Sequence, residues 1–254
     1  MKKAYLGNNS ILSQYFSKDT NFINLDIFDK TSWYLVDDVD ALFLYIPKKP
    51  GVVEQTKKFF LYCADKEVRH VVKLGSLGPY RLIHKQLDVF AKECGLNITT
   101  LHIAPLMNAI FYEQYNKGTL LNYRSNTSAP YLDPQVLIYV INKVLGSAFY
   151  FNYELEITGD TQYFIKDVAL ILDECGFPVK DIMNIPYTKT HDIDDRNADE
   201  ILLARLGKKY DDGWFPKLSL TTKNHLKITG RTFEDFIHED RHLLNLSFLD
   251  DCYL

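Results

Sequence analysis

The chain has 254 residues, of which 46% are hydrophobic, and its formal net charge is −4 at pH 7. This composition is typical of a globular protein that is long enough to bury a substantial core, either as one large domain or as a core with a small cap. Lys and Arg are spread along the chain without a basic stripe, so direct nucleic-acid binding is not expected.

Cysteine usage and apolar runs indicate the compartment. The four cysteines lie in separate segments without any C-x-x-C spacing, which argues against a zinc knuckle or a disulfide framework and favours reduced thiols. The first residues lack the apolar stretch of a signal peptide, and no apolar run approaches the length of a membrane span. We therefore expect a cytoplasmic protein without a membrane partner.

Short apolar runs alternate with helical patterns through the first part of the chain. This alternation predicts βα units and a parallel sheet. The predicted strands cover 3–7, 21–26, 41–46, 70–75 and 98–104, and the predicted helices cover 10–18, 30–37, 51–66 and 81–94.

After Pro105 the pattern loosens into a Tyr-rich segment and a polar loop. A helix is then predicted over 134–145, followed by a strand over 148–158. The next helix ends at Gly176, with Pro178 just beyond it. Two further helices are predicted over 196–207 and 232–244.

An altered phosphate-binding turn follows the first predicted strand. Gly7 opens the stretch GNNSILS, where a dinucleotide-binding βαβ unit has three spaced glycines. Only the first glycine is present, and serine stands at the other two positions. These glycines allow a tight turn and the close approach of a pyrophosphate, so the sequence indicates a fold more firmly than a cofactor. Asn8, Asn9 and Ser10 could still offer hydrogen-bond donors to a phosphate.

Six stretches, in this order, carry the motifs of one known family. They are Gly7 to Ser13 at the glycine-rich turn, Leu25 to Pro47 at the third and fourth strands, Val71 to Gly78 at the fifth strand, His84 to Ala109 at the next helix and strand, Tyr153 to Val179 at the returning strand and helix, and Ile228 to Asp240 at the C-terminal helix. Together they resemble the NmrA-like branch of the atypical short-chain dehydrogenase/reductases, over nearly the whole chain.

The resemblance implies an α/β fold with a Rossmann-like parallel sheet. We expect residues 1–105 to form its core, with 148–158 returning as an additional strand. Residues 106–147 and 159–254 are expected to form a smaller substrate-binding cap. Ligands of α/β proteins gather at the carboxyl ends of the strands, so the site is expected there.

The spacing from Gly7 to Asp26 leaves two interpretations. A complete βαβ unit needs about 30 residues, but only 19 positions separate these two residues. In the first interpretation, Asp26 ends strand two and holds an NAD ribose. In the second, residues 25–29 are strand three with its acidic turn, and strand two is deleted. We favour the deletion, which removes the element that distinguishes NAD from NADP in the family.

His84 is the first candidate catalytic residue, since the resemblance places it where relatives carry a catalytic or substrate-positioning Lys or His. Asp88 lies four residues on, on the same helix face, where a carboxylate could orient an imidazole and raise its pKa. A histidine with such a partner can act as general acid and base. The alternative is a surface pair on an exposed helix.

Ser76 and Tyr80 are candidate hydrogen-bond donors to a substrate carbonyl. Ser76 ends the fifth strand at its carboxyl end, and Tyr80 follows closely, beside Pro79. The spacing from Tyr80 to His84 imitates the Tyr-x-x-x-Lys pair of the typical short-chain enzymes. Lys73 and His102, in or beside strands, are interpreted as edge or pocket residues.

A zinc-site pattern occurs near the end of the sequence. His238, Glu239 and His242 match H-E-x-x-H, which presents two zinc ligands on one helix face with a glutamate base. A third ligand is not evident, and the same helix fits the C-terminal element of the family. We therefore predict no metal.

Three functions follow from these residues. The leading hypothesis is a divergent enzyme that acts on a small organic molecule by non-redox acid/base chemistry, such as isomerisation, cyclisation or elimination, with His84 as proton carrier. It needs no cofactor. The second is a reductase that uses NADP or NAD with an altered phosphate loop, and the third is a non-catalytic sensor or regulator. A homodimer stays open as an oligomeric state.

Overall fold

The computed structural model describes residues 2–6, 12, 14–16, 22–23, 25–46, 51–77, 81–122, 128–184 and 217–244, with the backbone alone for 6, 22–23, 76, 81–84 and 113. Contacts divide the chain into two compact units. Unit 1 comprises Met1–Leu77, Arg81–Ile103 and Leu137–Ile157, and unit 2 comprises Gly78–Tyr80, Ala104–Val136 and Thr158–Leu254. The predicted helix over 196–207 lies outside the described residues, as does most of the one over 10–18.

Unit 1 contains a parallel sheet of six strands. In chain order these are β1 (Lys3–Leu6), β2 (Phe22–Ile23), β3 (Ala41–Leu44), β4 (His70–Ser76), β5 (Asn97–Ile103) and β9 (Glu154–Ile157). Their order across the sheet is β2-β1-β3-β4-β5-β9, and every neighbouring pair is parallel. The predicted α/β fold with a parallel sheet is confirmed.

Helices cover both faces of this sheet. Helix α1 (Val52–Asp65) and helix α2 (Arg81–Glu93) pack on one face, where Phe59, Phe60 and Leu87 join the buried side chains of the strands. Helix α3 (Pro134–Val144) meets the opposite face, where Tyr5 Oη donates a hydrogen bond of 2.5 Å to Asn142. Because both faces are covered, β3 is buried at every position and reads as a continuous apolar run.

The structure corrects the favoured interpretation of residues 25–29. β2 is present and pairs with β1, as strand two does in the Rossmann order 3-2-1-4-5-6. Residues 25–40 contain turns and the 3-10 helix Lys30–Val36, but no strand. Asp26 and Asp29 accept hydrogen bonds from the backbone N–H groups of Phe28 and Thr31, which bends the chain at both residues. Among the described residues, the sheet therefore lacks strand three instead of strand two.

The boundary between the two units differs from the predicted one. Residues 106–147 were assigned to the cap, but residues 137–157 belong to unit 1. The reason is that α3 is the crossover helix between β5 and β9, and its apolar side chains Leu137, Val140, Ile141 and Val144 are buried. The predicted strand over 148–158 is shorter than expected, since residues 148–150 form a 3-10 turn.

The described residues of unit 2 form two small sheets and two α-helices. In one sheet, β7 (Thr119–Asn122) pairs antiparallel with β6 (Tyr115–Asn116) and parallel with β11 (Asp181–Asn184). In the other, β8 (Ser128–Ala129) pairs with β10 (Tyr163–Phe164). Helix α4 (Ile165–Glu174) ends before Gly176, which adopts the left-handed conformation at φ 84°. Helix α5 (Phe233–Asp240) begins at a reciprocal hydrogen-bonded pair of Thr232 and Asp235.

Arg231 is the centre of an ion-pair cluster in unit 2. Its guanidinium donates hydrogen bonds to Asp133 at 2.8 and 2.9 Å and to both carboxylate oxygens of Asp240 at 2.9 Å. It also donates to Glu239 at 2.9 Å. Asp133 also accepts the N–H of Gln135 at the start of α3. Burial works against the charge of Arg231, but these hydrogen bonds raise its pKa well above the usual range. The cluster thus ties the loop before α5 to residue 133.

His70 is a buried, neutral histidine at the start of β4. Its Nδ1 accepts the N–H of Gly146 at 2.9 Å, and its Nε2 lies 2.8 Å from the hydroxyl of Thr99, which itself donates to the carbonyl of Tyr150. Burial, together with the charge of Lys3, lowers the pKa of His70 to about 4. The pKa of a histidine in an unfolded chain is about 6.5. Between these two pKa values, the imidazole of His70 is neutral in the folded protein and protonated in the unfolded chain.

This pKa shift predicts an acid-sensitive stability. Between about pH 6.5 and pH 4 the unfolded chain binds a proton that the folded protein does not, so the free energy of unfolding should fall by about 3 kcal/mol as the pH drops through this window. Urea unfolding at a series of pH values should show this dependence of the free energy of unfolding on pH in the wild type. The control variant His242→Ala, which removes an exposed histidine, should show the same dependence. His70→Gln should reduce it. An unchanged slope in His70→Gln would contradict the assignment.

Candidate active site

The candidate site lies in unit 1, at the carboxyl edge of the parallel sheet. β4 ends at Ser76, and α2 starts at Arg81, so the first turn of α2 lies at this edge. That turn contains His84. The structure describes the backbone of Ser76 and His84, which places both where ligands of α/β proteins bind. Their roles as hydrogen-bond donor and proton carrier stay predictions.

Other predicted site residues lie outside the described residues. They are Tyr80 and the four residues of the phosphate-binding turn, Gly7, Asn8, Asn9 and Ser10. Asp26 is described and follows β2 by three positions. Its Oδ1 accepts the N–H of Phe28 at 2.9 Å, so one oxygen is used in the local turn. The proposed contact of Asp26 with a ribose stays a prediction.

Asp88 is buried and not part of an exposed surface pair. Its Oδ1 accepts the hydroxyl of Thr100 at 2.8 Å and lies 2.9 Å from the Nζ of Lys73. β4 and β5 are in a register that sets Lys73 opposite Thr100, and α2 lies over both strands. Asp88 therefore anchors α2 to the sheet one turn after His84. Orientation of the imidazole by Asp88 stays a prediction.

Lys73 is fully buried on β4, which lies between β3 and β5, so it is not an edge residue. Burial lowers the pKa of its ammonium, while the negative charge of Asp88 acts in the opposite direction. Lys73 Nζ and Asp88 Oδ1 are 2.9 Å apart, so the two side chains form an ion pair. Asp88 Oδ2 has no hydrogen-bond partner within the part of the chain that the structure describes. Opposite charges hold the pair together, because separating two buried charges is energetically unfavourable.

His102 is a second buried polar residue on this face of the sheet, and its burial is not predicted from the sequence. Its Nε2 lies 3.2 Å from Glu154 on the neighbouring strand β9. The ring also covers the backbone of Gly75, because a β-carbon placed on that glycine would lie 2.6 Å from His102 Nδ1. The glycine thus makes room for the imidazole between β4 and β5.

The residues of the H-E-x-x-H run contact partners of their own in unit 2. Glu239 accepts a hydrogen bond from Arg231, and His238 Nε2 lies 3.8 Å from the Sγ of Cys175. Burial, aided by Glu234 and Glu174, raises the pKa of that thiol. Over the described ranges, no group of three or more His, Cys, Asp or Glu side chains is arranged to hold a metal ion.

The site can do acid/base chemistry if His84 faces a ligand. A histidine in the first turn of a helix that is anchored by a buried ion pair has a fixed backbone position, and fixed position is a requirement of a general acid or base.

Among the described helices, none combines the length and the apolar character that a membrane-spanning helix needs.

Comparisons with solved structures identify the fold. A triphenylmethane reductase from Citrobacter sp., solved with NADP(H), superposes with a TM-score of 0.70 at 12% identity, covering 94% of this chain and 99% of that one. An NADPH-dependent quinone oxidoreductase from Escherichia coli, solved with NADPH, gives 0.70 at 13%, covering 96% and 100%.

A nucleoside-diphosphate-sugar epimerase from Staphylococcus aureus gives a TM-score of 0.66 at 15% identity, covering 94% of this chain and 100% of that one. No protein-family model and no curated protein matches the sequence. Identities this low carry the fold alone. The chain has the Rossmann-like α/β fold of NAD(P)-binding reductases and epimerases.

Proposed function

We propose that this protein acts on a small organic molecule at the carboxyl edge of its sheet, by acid/base chemistry without hydride transfer. The observation that carries the proposal is the crossing from β2 to β3, in which residues 25–40 form turns and a 3-10 helix without a strand. A dinucleotide site is built from two mononucleotide-binding halves. Within the described residues, the half that begins with β1 has two strands, β1 and β2, while the other half has three, β3, β4 and β5.

Two of the proposed catalytic residues, Ser76 and His84, belong to the half that contains β4 and β5. His84 lies in the first turn of α2, and the buried pair of Asp88 and Lys73 fixes that helix on β4 and β5. In the proposed step, His84 takes a proton from the carbon beside a substrate carbonyl and returns it to a carbon of the resulting enol. Ser76 and Tyr80 would donate hydrogen bonds to the carbonyl oxygen while it carries the developing charge. No electrons leave the substrate, so no redox partner is needed.

Deuterium exchange tests this proposal without knowledge of the natural substrate. The protein is incubated in D₂O with a panel of carbonyl compounds, namely dihydroxyacetone, pyruvate, cyclohexanone and cyclohex-2-enone, and loss of the signal of the exchanging proton is followed by ¹H NMR. We expect cofactor-free exchange with at least one compound, and a loss of roughly 10²–10⁴-fold in His84→Ala.

A His242→Ala variant is the matched control, because this histidine is exposed and belongs to unit 2. It should exchange at the wild-type rate. Absence of exchange with the whole panel, or equal rates in His84→Ala and the wild type, would remove the proposed chemistry.

The second candidate function is an NAD(P)H-dependent reductase, which the reductases solved with NADP(H) and NADPH favour. Calorimetric titration with NADPH and NADH separates the two candidates. Saturable binding at micromolar concentration would support the reductase. For the non-redox enzyme, we expect no saturation by either nucleotide up to millimolar concentration.

A further inference from the structure

Lys73 is a buried charge of unit 1 that the proposed mechanism does not use. Its side chain is fully buried on β4, and its Nζ lies 2.9 Å from Oδ1 of Asp88 on α2. The same oxygen accepts a hydrogen bond of 2.8 Å from the hydroxyl of Thr100 on β5. A buried carboxyl carries a charge only where such partners replace its hydrogen bonds to water. Lys73 and Thr100 therefore favour the ionised form of Asp88.

A second negative charge acts on Lys73 from the neighbouring strand. Burial lowers the pKa of the ammonium, but the charges of Asp88 and Glu154 act against this effect. Glu154 lies on β9 and pairs with His102 of β5 at 3.2 Å. The carboxylates of Asp88 and Glu154 thus both favour the charged form of Lys73.

His84 lies one turn before Asp88 on α2. Their positions are four residues apart in this helix, and residues at this spacing are neighbours, with about 5–6 Å between their β-carbons. A carboxylate at such a distance favours a protonated imidazole, whereas a neutral carboxyl does not. Lys85, which follows His84, is exposed, so water weakens the effect of its charge. The charge of Asp88 is therefore expected to control the protonation of His84.

We propose that Lys73 is a positioning residue of the site, because its ammonium keeps Asp88 ionised and the ionised carboxylate supports the protonated form of His84. This inference rests on the proposed function, in which His84 takes a proton from the substrate. It adds the group that determines how strongly His84 holds that proton. Lys73 acts through Asp88 and takes up no proton from the substrate itself.

The protonation of His84 can be measured without a substrate. The imidazole Hε1 signal, assigned by its loss in His84→Ala, is followed by ¹H NMR over a pH series, which gives the pH of half-protonation. In Asp88→Asn this pH should fall by roughly 0.5–2 units, because a nearby negative charge is removed. Lys73→Met should lower it by a similar amount, since a buried carboxyl that has lost its cation takes up a proton.

The direction of the change in Lys73→Met distinguishes two roles. A lysine that acted on His84 directly, as a nearby cation, would disfavour the protonated imidazole, so its removal would raise the pH of half-protonation. A raised or unchanged value in Lys73→Met would therefore overturn the proposal.

Lys57→Met is the matched control for a cation near α2. Lys57 lies on α1, 5.7 Å from the ring centre of Phe90, and pairs with Glu54. Its substitution should leave the pH of half-protonation of His84 close to that of the wild type. A fall as large as that in Lys73→Met would overturn the proposal, because the effect would then not depend on Asp88.

A measurement on the wild type does not depend on how a variant folds. The ¹³C signal of the Asp88 carboxyl is followed over the same pH series. It should have the shift of a carboxylate throughout the titration of His84, and it should respond at the pH of half-protonation of His84, since a positive charge then forms beside it. A protonated Asp88 at neutral pH, or the absence of this response, would overturn the proposal.

Deuterium exchange separates this inference from the proposed function. The NMR titrations need no reaction, so the expected titrations without any exchange would remove the proposed chemistry but support the control of Asp88 and His84 by Lys73. Where exchange occurs, the pH of its half-maximal rate should fall in Lys73→Met together with that of His84 protonation. A slower exchange with an unchanged pH profile would indicate a structural role of Lys73 alone and would overturn the proposal.

Discussion

Replacing Arg231 by Ala is expected to lower the free energy of unfolding by about 3–5 kcal/mol. The substitution leaves Asp133 and Asp240 without their shared cation, and both carboxylates are almost fully buried. Uncompensated charges in such positions are more unfavourable than the loss of a surface contact. Urea unfolding, monitored by the fluorescence of the protein, measures the difference.

Two variants sharpen this prediction. Arg231→Lys keeps the charge but loses the forked geometry that contacts two carboxylates at once, so it should recover only part of the stability. Arg69→Ala is the matched control, because Arg69 is 78% exposed and lies 3.8 Å from Asp40. It should change the free energy of unfolding by less than about 1 kcal/mol. Equal losses in Arg231→Ala and Arg69→Ala would contradict the importance of the cluster.

Lys73→Met should also destabilise the protein by about 3–5 kcal/mol, since it leaves the carboxylate of Asp88 unpaired between α2 and the sheet. The double variant Lys73→Met/Asp88→Leu should regain most of this loss, because a buried ion pair and a well-packed apolar pair are often similar in stability. The coupling between the two positions is read from a double-mutant cycle in urea.

Lys57→Met provides the control for the Lys73 experiment. Lys57 pairs with Glu54 at 2.8 Å on α1, and the carboxylate of Glu54 is mostly exposed. Its substitution should change the free energy of unfolding only slightly, as expected for a surface pair.

If the double variant Lys73→Met/Asp88→Leu were as unstable as Lys73→Met alone, the pair of Lys73 and Asp88 would contribute packing or hydrogen bonds that the apolar pair does not replace.

The central strands could be predicted from the sequence because they are buried on both faces. The apolar runs predicted β3, β4 and β5 to within two residues at each end. β2 was harder, since only Phe22 and Ile23 pair with β1 and a two-residue strand has no detectable period. The sequence predicts an extended strand over the turns made by Asp26 and Asp29, because the residues between them, Ile27 and Phe28, are apolar.

The partner of Asp88 could not be predicted, because strand register is a non-local property. Helical spacing identified Asp88 and His84 as neighbours along α2, but Lys73 lies on β4 and Thr100 on β5. A signal was nevertheless present in the sequence. Lys73 interrupts the apolar run of β4, and Asp88 follows the buried Leu87, so opposite charges occur in two buried elements. Such charges are rarely buried unless they pair.

The side chains that can occupy positions 75 and 102 depend on each other, because they share one space between β4 and β5. The imidazole occupies the space that a side chain on residue 75 would fill, and the methyl group of Thr100 would lie 2.8 Å from the same β-carbon. Any side chain at residue 75 would therefore require a smaller residue at position 102, and a smaller residue at position 102 would leave an empty volume beside β4. We expect diverging sequences with this sheet to exchange the two residues together or not at all.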